Sequence, residues 1–138
     1  MGSRLRDVVG AAPGHATLHV PSTPDPSFSS LAGGRFAEGE PVEVDVTTVD
    51  CEVEALELRP TVVKIDVEGG ELDVVAGMER TLRAHGPVLL VEVSEESARE
   101  LARRLDGYSG FRVARDGLEP LESGRGLFNA LFVPQPPV

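Results

Sequence analysis

Apolar and polar positions recur along this chain at two periods, and each change of period marks an element. Val42-Glu43-Val44-Asp45-Val46 alternates strictly, apolar against acidic, as a strand with one face in water does. His15 to Val20 alternates in the same way. Thr61 to Val67 is instead a nearly continuous apolar run interrupted by Lys64, the pattern of a strand in a parallel sheet covered on both faces. From Gly70 to His85 the period lengthens to that of one helix. Leu72, Val75, Met78 and Leu82 form its apolar stripe, with Glu71 and Asp73 in the first turn and Arg80, Arg83 and His85 near the last. Gly86-Pro87 stops it, and Pro87 to Val93 reads as a second apolar strand. Strand, helix and strand within about 30 residues make a βαβ unit.

Ser94 caps a further helix whose stripe is Ala98, Leu101, Ala102 and Leu105, with Glu95–Arg99 and Glu100–Arg104 spaced to pair on its outer face. Phe111 to Ala114 and Leu127 to Val133 are expected as strands joined by a polar, glycine-containing loop, and the Pro134-Gln135-Pro136-Pro137 run cannot continue a sheet. The start is less regular. Asp7-Val8-Val9 reads as the end of a strand, and Pro13-Gly14 as a turn. Pro21 to Gly34 is a loop anchored by Phe28 and Leu31. Thr48 or Asp50 caps a short helix ended by Arg59-Pro60. One domain over 1–138 follows, with an irregular strand and loop segment over 1–48 and an α/β core over 61–133.

Composition narrows the class. Five Phe, one Tyr and no Trp leave an aliphatic core, and Lys64 is the lone lysine among thirteen bases, a bias of GC-rich bacterial genomes. The net charge is −10, and all of it falls between Glu38 and Asp73, where twelve acids face only Arg59 and Lys64. Such a field repels phosphate backbones and anionic lipid, so neither nucleic acid nor membrane is expected as a partner. With no apolar run long enough for a span or a signal-peptide core, a cytoplasmic protein is expected. Cys51 alone allows no internal disulfide, and three scattered histidines give no metal cage.

The candidate chemistry lies at the end of the 61–67 strand. Asp66 and Glu68, with Glu92 on the next strand, stand where α/β sheets place ligands, beyond the carboxyl ends of their strands. Such acids can orient or deprotonate a hydroxyl, or bind a divalent cation. Asp66 favours function, since the end of a buried strand is a costly place for an unpaired charge. Glu71 reads as an ordinary first-turn acid. Lys64 is either a positioned cation or half of a structural ion pair, and Glu92 is a partner for Lys64 or an arginine. Gly69-Gly70 permits positive φ at the turn, but its flanking acids disqualify it as a phosphate cradle. His15, His19 and His85 read as structural, and Cys51, between two acids, as a poor nucleophile.

The run Val63-Lys64-Ile65-Asp66-Val67-Glu68-Gly69-Gly70-Glu71-Leu72 resembles the KIDVEG-x-E segment of the FkbM family of S-adenosylmethionine-dependent methyltransferases. Val44 to Asp50, Pro87 to Val93 and Leu127 to Pro134 resemble further family segments in the same order, so the resemblance extends from about Val8 to Pro134. It implies a Rossmann-like sheet, with a C-terminal antiparallel strand, flanked by helices. It also implies S-adenosylmethionine as cofactor and O-methylation of a sugar or natural-product hydroxyl. Asp66 and Glu68 would then act on a small-molecule acceptor, with Lys64 and Glu92 in support.

The family's glycine-rich cofactor turn has no counterpart here, since Gly10-Ala11-Ala12-Pro13-Gly14 leads into a strand. The chain thus reads as an N-terminally truncated, later portion of the domain, beginning near the family's third strand. Its 61–67 edge would be closed by oligomerisation, by a partner chain, or by residues 1–48. The alternative readings are a non-catalytic remnant or interaction module and, last, a carboxylate-based Mg²⁺ hydrolase.

Overall fold

The computed structural model of the chain describes residues 7–20, 30–31 and 40–137. Its first sheet contains β1 (Asp7–Val9), β2 (Gly14–Val20), β3 (Ser30–Leu31) and β4 (Glu40–Thr47), in the order β1-β4-β2-β3. β1 runs parallel to β4, and β2 antiparallel to it from Gly14 opposite Val46 to Val20 opposite Glu40. Both alternating segments are therefore strands, as their pattern requires. The expected loop from Pro21 to Gly34 contains the short β3, and Phe28 lies outside the described residues.

The rest of the chain is α1 (Val49–Ala55), β5 (Val62–Ile65), α2 (Glu71–Ala76), α3 (Glu79–His85), β6 (Val88–Ser94), α4 (Glu95–Arg104), β7 (Tyr108–Ala114), β8 (Gly117–Pro120) and β9 (Leu127–Pro134). Its five strands form a second sheet in the order β5-β6-β9-β7-β8. β5 and β6 are parallel, and β9 lies between β6 and β7, antiparallel to both. This is the expected mixed α/β architecture with helices on the sheet. The polar loop after β7 is instead a hairpin, with Gly117 at φ 146 beginning β8.

Register sorts the side chains of the second sheet between two faces. Leu89, Val91 and Val93 of β6 are wholly buried beside Ile65, Ala130 and Phe132. They meet Val74, Val75 and Met78 of the α2–α3 region and Ala98, Leu101 and Leu105 of α4 and its end. Ala102, expected in that stripe, is exposed, because it sits at the rim of a stripe narrower than the sequence suggests. The opposite face carries Val62, Lys64, Leu90, Glu92, Asn129 and Leu131, and no described helix covers it. Val62 is 63% exposed and Leu127 70%. The expectation of a sheet covered on both faces is thus corrected: the crossover from β5 to β6 supplies helices to one face only. The described strands of the 1–48 segment do not pair with β5, since they form a separate sheet.

The helix expected over 70–85 is two helices, broken at Gly77-Met78. Two contacts from the first sheet's side explain the break. A Cβ on Gly77 would stand 2.2 Å from the Gly10 carbonyl oxygen, so only glycine admits this approach. The Gly77 carbonyl in turn accepts from the Asp50 amide at 3.1 Å. Thr48 caps α1, accepting from the Cys51 amide at 3.1 Å, and thereby leaves Asp50 free to serve another helix.

The Asp50 carboxylate accepts from the Arg80 amide at 3.1 Å, the Thr81 amide at 2.8 Å and the Thr81 hydroxyl at 2.7 Å. It satisfies the orphan donors at the start of α3 in place of a local cap. Its side chain is 11% exposed. Burial works to raise its pKa. The three hydrogen bonds and the nearby Arg80 guanidinium outweigh burial and hold it below the ordinary aspartate value.

A depressed folded-state pKa stabilises the fold above the unfolded carboxylate value, and that stabilisation is lost as pH falls through the folded value. Asp50→Ala is therefore expected to cost about 1–3 kcal/mol in urea unfolding at neutral pH, because it strands three donors. The wild type should lose stability below about pH 4 more steeply than Asp50→Asn does.

Candidate functional site

The strand–turn–helix at β5 carries the acids singled out in the sequence. β5 stops at Ile65 because the chain turns at once: the Gly70 amide donates to the Val67 carbonyl at 2.8 Å, with Glu68 and Gly69 between them at φ 22 and φ 93. Two successive positive φ values make a tight turn of the primed kind, which Gly69 adopts freely and Glu68 only under strain. The turn is locked from within. Glu71 is 4% exposed, and its Oε2 accepts from the Gly69 amide at 3.0 Å. The first-turn reading of Glu71 holds, with the addition that its carboxylate braces the loop rather than facing water.

Asp66 and Glu68 are both exposed at the tip. The sequence argument for Asp66, an unpaired charge forced into a buried position, therefore lapses: β5 ends before it and leaves it in solvent. Lys64 is exposed on the open face of the sheet, and Glu92 is half-buried one strand away on the same face. Among the described residues neither forms an ion pair, so the expected structural pairing of Lys64 with an acid, or of Glu92 with an arginine, is absent. Register adds a residue the sequence reading missed. Asn129 of β9 stands directly opposite Glu92, giving a diagonal polar row of Lys64, Glu92 and Asn129 across three strands. Asn129 sits in an apolar strand, and its oddness there was the available signal.

The carboxyl end of β6 contributes polar groups of its own. Ser94 caps α4, its Oγ accepting from the Ser97 amide at 3.1 Å, and Glu95 accepts from the Gly126 amide at 3.1 Å. Glu95 thus ties α4 to the loop entering β9 rather than pairing with Arg99. Glu100 does pair with Arg104, at 2.8 Å. His15 contacts Asp45 at 2.7 Å on the first sheet, and His19 is on the same strand. No group of three or more potential metal ligands occurs among the described residues. A cavity of about 300 Å³ opens between α1 and α3, lined in part by Asp50, Glu54 and Arg80, and it includes none of the acids at the β5 tip.

A methyl donor of nucleoside type needs a turn that brings backbone close to it and a cavity for its base and ribose. Gly10 to Gly14 joins β1 to β2, strand to strand, and so presents no helix terminus. The β5 turn is flanked by Glu68 and Glu71 and lines neither of the two cavities described, the second of which lies at His15, Glu43, Val44 and Asp45. The described residues do not assemble a site that fits that group.

Comparison with protein families matches residues 4–113 to the methyltransferase FkbM domain. Comparison with curated proteins and with solved structures gives none. No helix among the described residues is long and apolar enough to cross a membrane.

The strain at Glu68 has a measurable counterpart. Glu68→Gly should raise stability by about 1 kcal/mol in urea unfolding, since glycine adopts this φ without steric cost. Glu71→Ala should lower it by about 1–3 kcal/mol, leaving the Gly69 amide without its acceptor.

Proposed function

The chain belongs to the FkbM methyltransferase family, and from that premise we propose that it provides the acceptor side of an O-methyl transfer to a hydroxyl of a sugar or related natural product. The observation that carries this reading is the pair of exposed carboxylates, Asp66 and Glu68, held by a braced turn at the carboxyl end of a parallel strand. Carboxylates accept hydrogen bonds from hydroxyls, and a hydroxyl held so has its lone pair oriented and a base at hand for its proton. Lys64, on the same strand, supplies a cation that lowers the cost of charge developing on the hydroxyl oxygen. Glu92 extends the acceptor surface toward β9. S-adenosylmethionine is the methyl donor that the family implies. The residues discussed act on the acceptor alone.

A second reading, a non-catalytic interaction module of the same fold, is favoured by the poor fit of the described residues to a nucleoside donor.

Amide chemical shifts of the ¹⁵N-labelled chain, titrated with a panel of neutral sugars and polyols, separate the two readings. The acceptor reading expects shifts concentrated at Asp66–Glu71 and Glu92–Ser94, weakened about tenfold or more in an Asp66→Asn, Glu68→Gln double variant. Binding elsewhere, or binding indifferent to that variant, sinks it. Calorimetric titration with S-adenosylmethionine should be silent for the chain alone. Micromolar affinity would show that a donor site exists after all.

A further inference from the structure

We propose that Glu92 and Asn129 determine acceptor specificity by holding a second, non-reacting hydroxyl of the acceptor ring, a role that rests on the acceptor reading of the Asp66–Glu68 tip.

Register brings the pair to that tip. Glu92 of β6 and Asn129 of β9 are directly opposed, which sets their Cβ atoms about 4.5–5.5 Å apart. β9 runs antiparallel to β6, so residues near the start of β9 lie at the carboxyl end of β6. On the other side, Ile65 pairs with Val91, and Asp66 and Glu92 are the next residues along their strands. The end of β5 therefore meets the pair about one strand spacing away, roughly 4.8 Å. A single sugar ring bridges that interval, with one hydroxyl at Asp66 and another between Glu92 and Asn129.

The two head groups suit a hydroxyl. A carboxylate only accepts hydrogen bonds, whereas an amide also donates them. A hydroxyl gives its proton to Glu92 and receives an N–H from Asn129 on its oxygen, so one ligand group satisfies both. The two residues stand opposite each other, yet no hydrogen bond joins their side chains. Asn129 is exposed and Glu92 half-buried, so both heads are within reach of a ligand.

Their neighbours on this face are apolar. Leu90 and Leu131 form the pair one step along the strands, both half-buried, and Leu127 stands one step the other way, 70% exposed. A sheet face kept polar only for contact with water would carry polar residues at these positions as well. A polar pair set between aliphatic side chains instead reads hydroxyls while the C–H face of a ring packs beside them. Charge narrows the ligand further. Asp66, Glu68 and Glu92 outnumber Lys64, so a phosphorylated or carboxylated sugar is repelled and an uncharged ring is favoured.

Amide shifts of the ¹⁵N-labelled chain, titrated with methyl glucoside, methyl galactoside, methyl mannoside and the monodeoxy analogues of each, test this. The glycoside that shifts Asp66–Glu71 should also shift the Asn129 side-chain amide, and one of its monodeoxy analogues should bind about tenfold more weakly. Asn129→Ala should weaken the parent glycoside by the same factor and leave that analogue unaffected, a coupling that a merely structural role does not produce. Asn129→Thr, which keeps a donor on a residue suited to strands, should restore part of the loss. Shifts at Asp66–Glu71 with an unmoved Asn129 side chain overturn the role of the pair and leave the acceptor reading intact. Equal losses for the parent and every analogue in Asn129→Ala do the same. Shifts confined to Glu92 and Asn129 overturn the acceptor reading itself, and silence at both places overturns both.

Discussion

The junction of α1 with α3 hangs on one carboxylate. Asp50 begins a short helix directly after β4, yet it spends its oxygens on the start of α3, thirty residues further on. Remove that acceptor and three donors at a partly buried helix start lose their partner. The same junction carries the Gly77 carbonyl, bound by the Asp50 amide, and the Gly10 carbonyl packed where a side chain would otherwise be. The break between α2 and α3 is thus imposed from outside. Local sequence favours one continuous helix, and Gly10 interrupts it by close approach while Asp50 of α1 caps its second half.

The second sheet is unequal in its two faces. One side is a close-packed aliphatic layer of β6, β9 and the helices, in which Leu89, Val91, Val93 and Leu101 are fully buried. The other presents valines and leucines to solvent around a thin polar row of Lys64, Glu92 and Asn129. A charge of −10 works against indiscriminate contact between such surfaces, because like-charged chains repel before their apolar faces meet. Any association that does occur must then bring opposite charges together locally. Specificity here is set by electrostatics at the rim as much as by apolar area.

Much of this was legible in the residues. Alternation announced β2 and β4, and the unbroken apolar run announced β5. The Ser94 cap with its acids announced α4. The KIDVEG-like run alone carries the family's signature. What could not be read were facts belonging to pairs of distant elements. Nothing near Gly77 signals that Gly10 will press against it, and the periodicity of Leu72, Val75, Met78 and Leu82 argues for one helix. Lys64 in an apolar strand implied a buried pairing. Burial depends on a second covering layer, which the sequence of β5 alone cannot report. The exposure of Asp66 is illegible for the same reason, since β5 ends one residue before it. Asn129 gained interest only when register set it opposite Glu92.

The position of β9 bears on how the protein is made. This strand is the latest of the described elements to be synthesised, yet it lies in the interior of its sheet, between β6 and β7. While it is still within the ribosome, β6 and β7 have no common neighbour, and Val91 and Val93 lack Ala130 and Phe128 beside them. The emerging chain can form its helices and the β5–β6 pair early, but the sheet cannot close until β9 inserts between strands already in place. Folding is therefore gated by translation of this one segment. Until it arrives, the edges of β6 and β7 that it will join stay unpaired, which is the interval in which a chaperone would have something to hold.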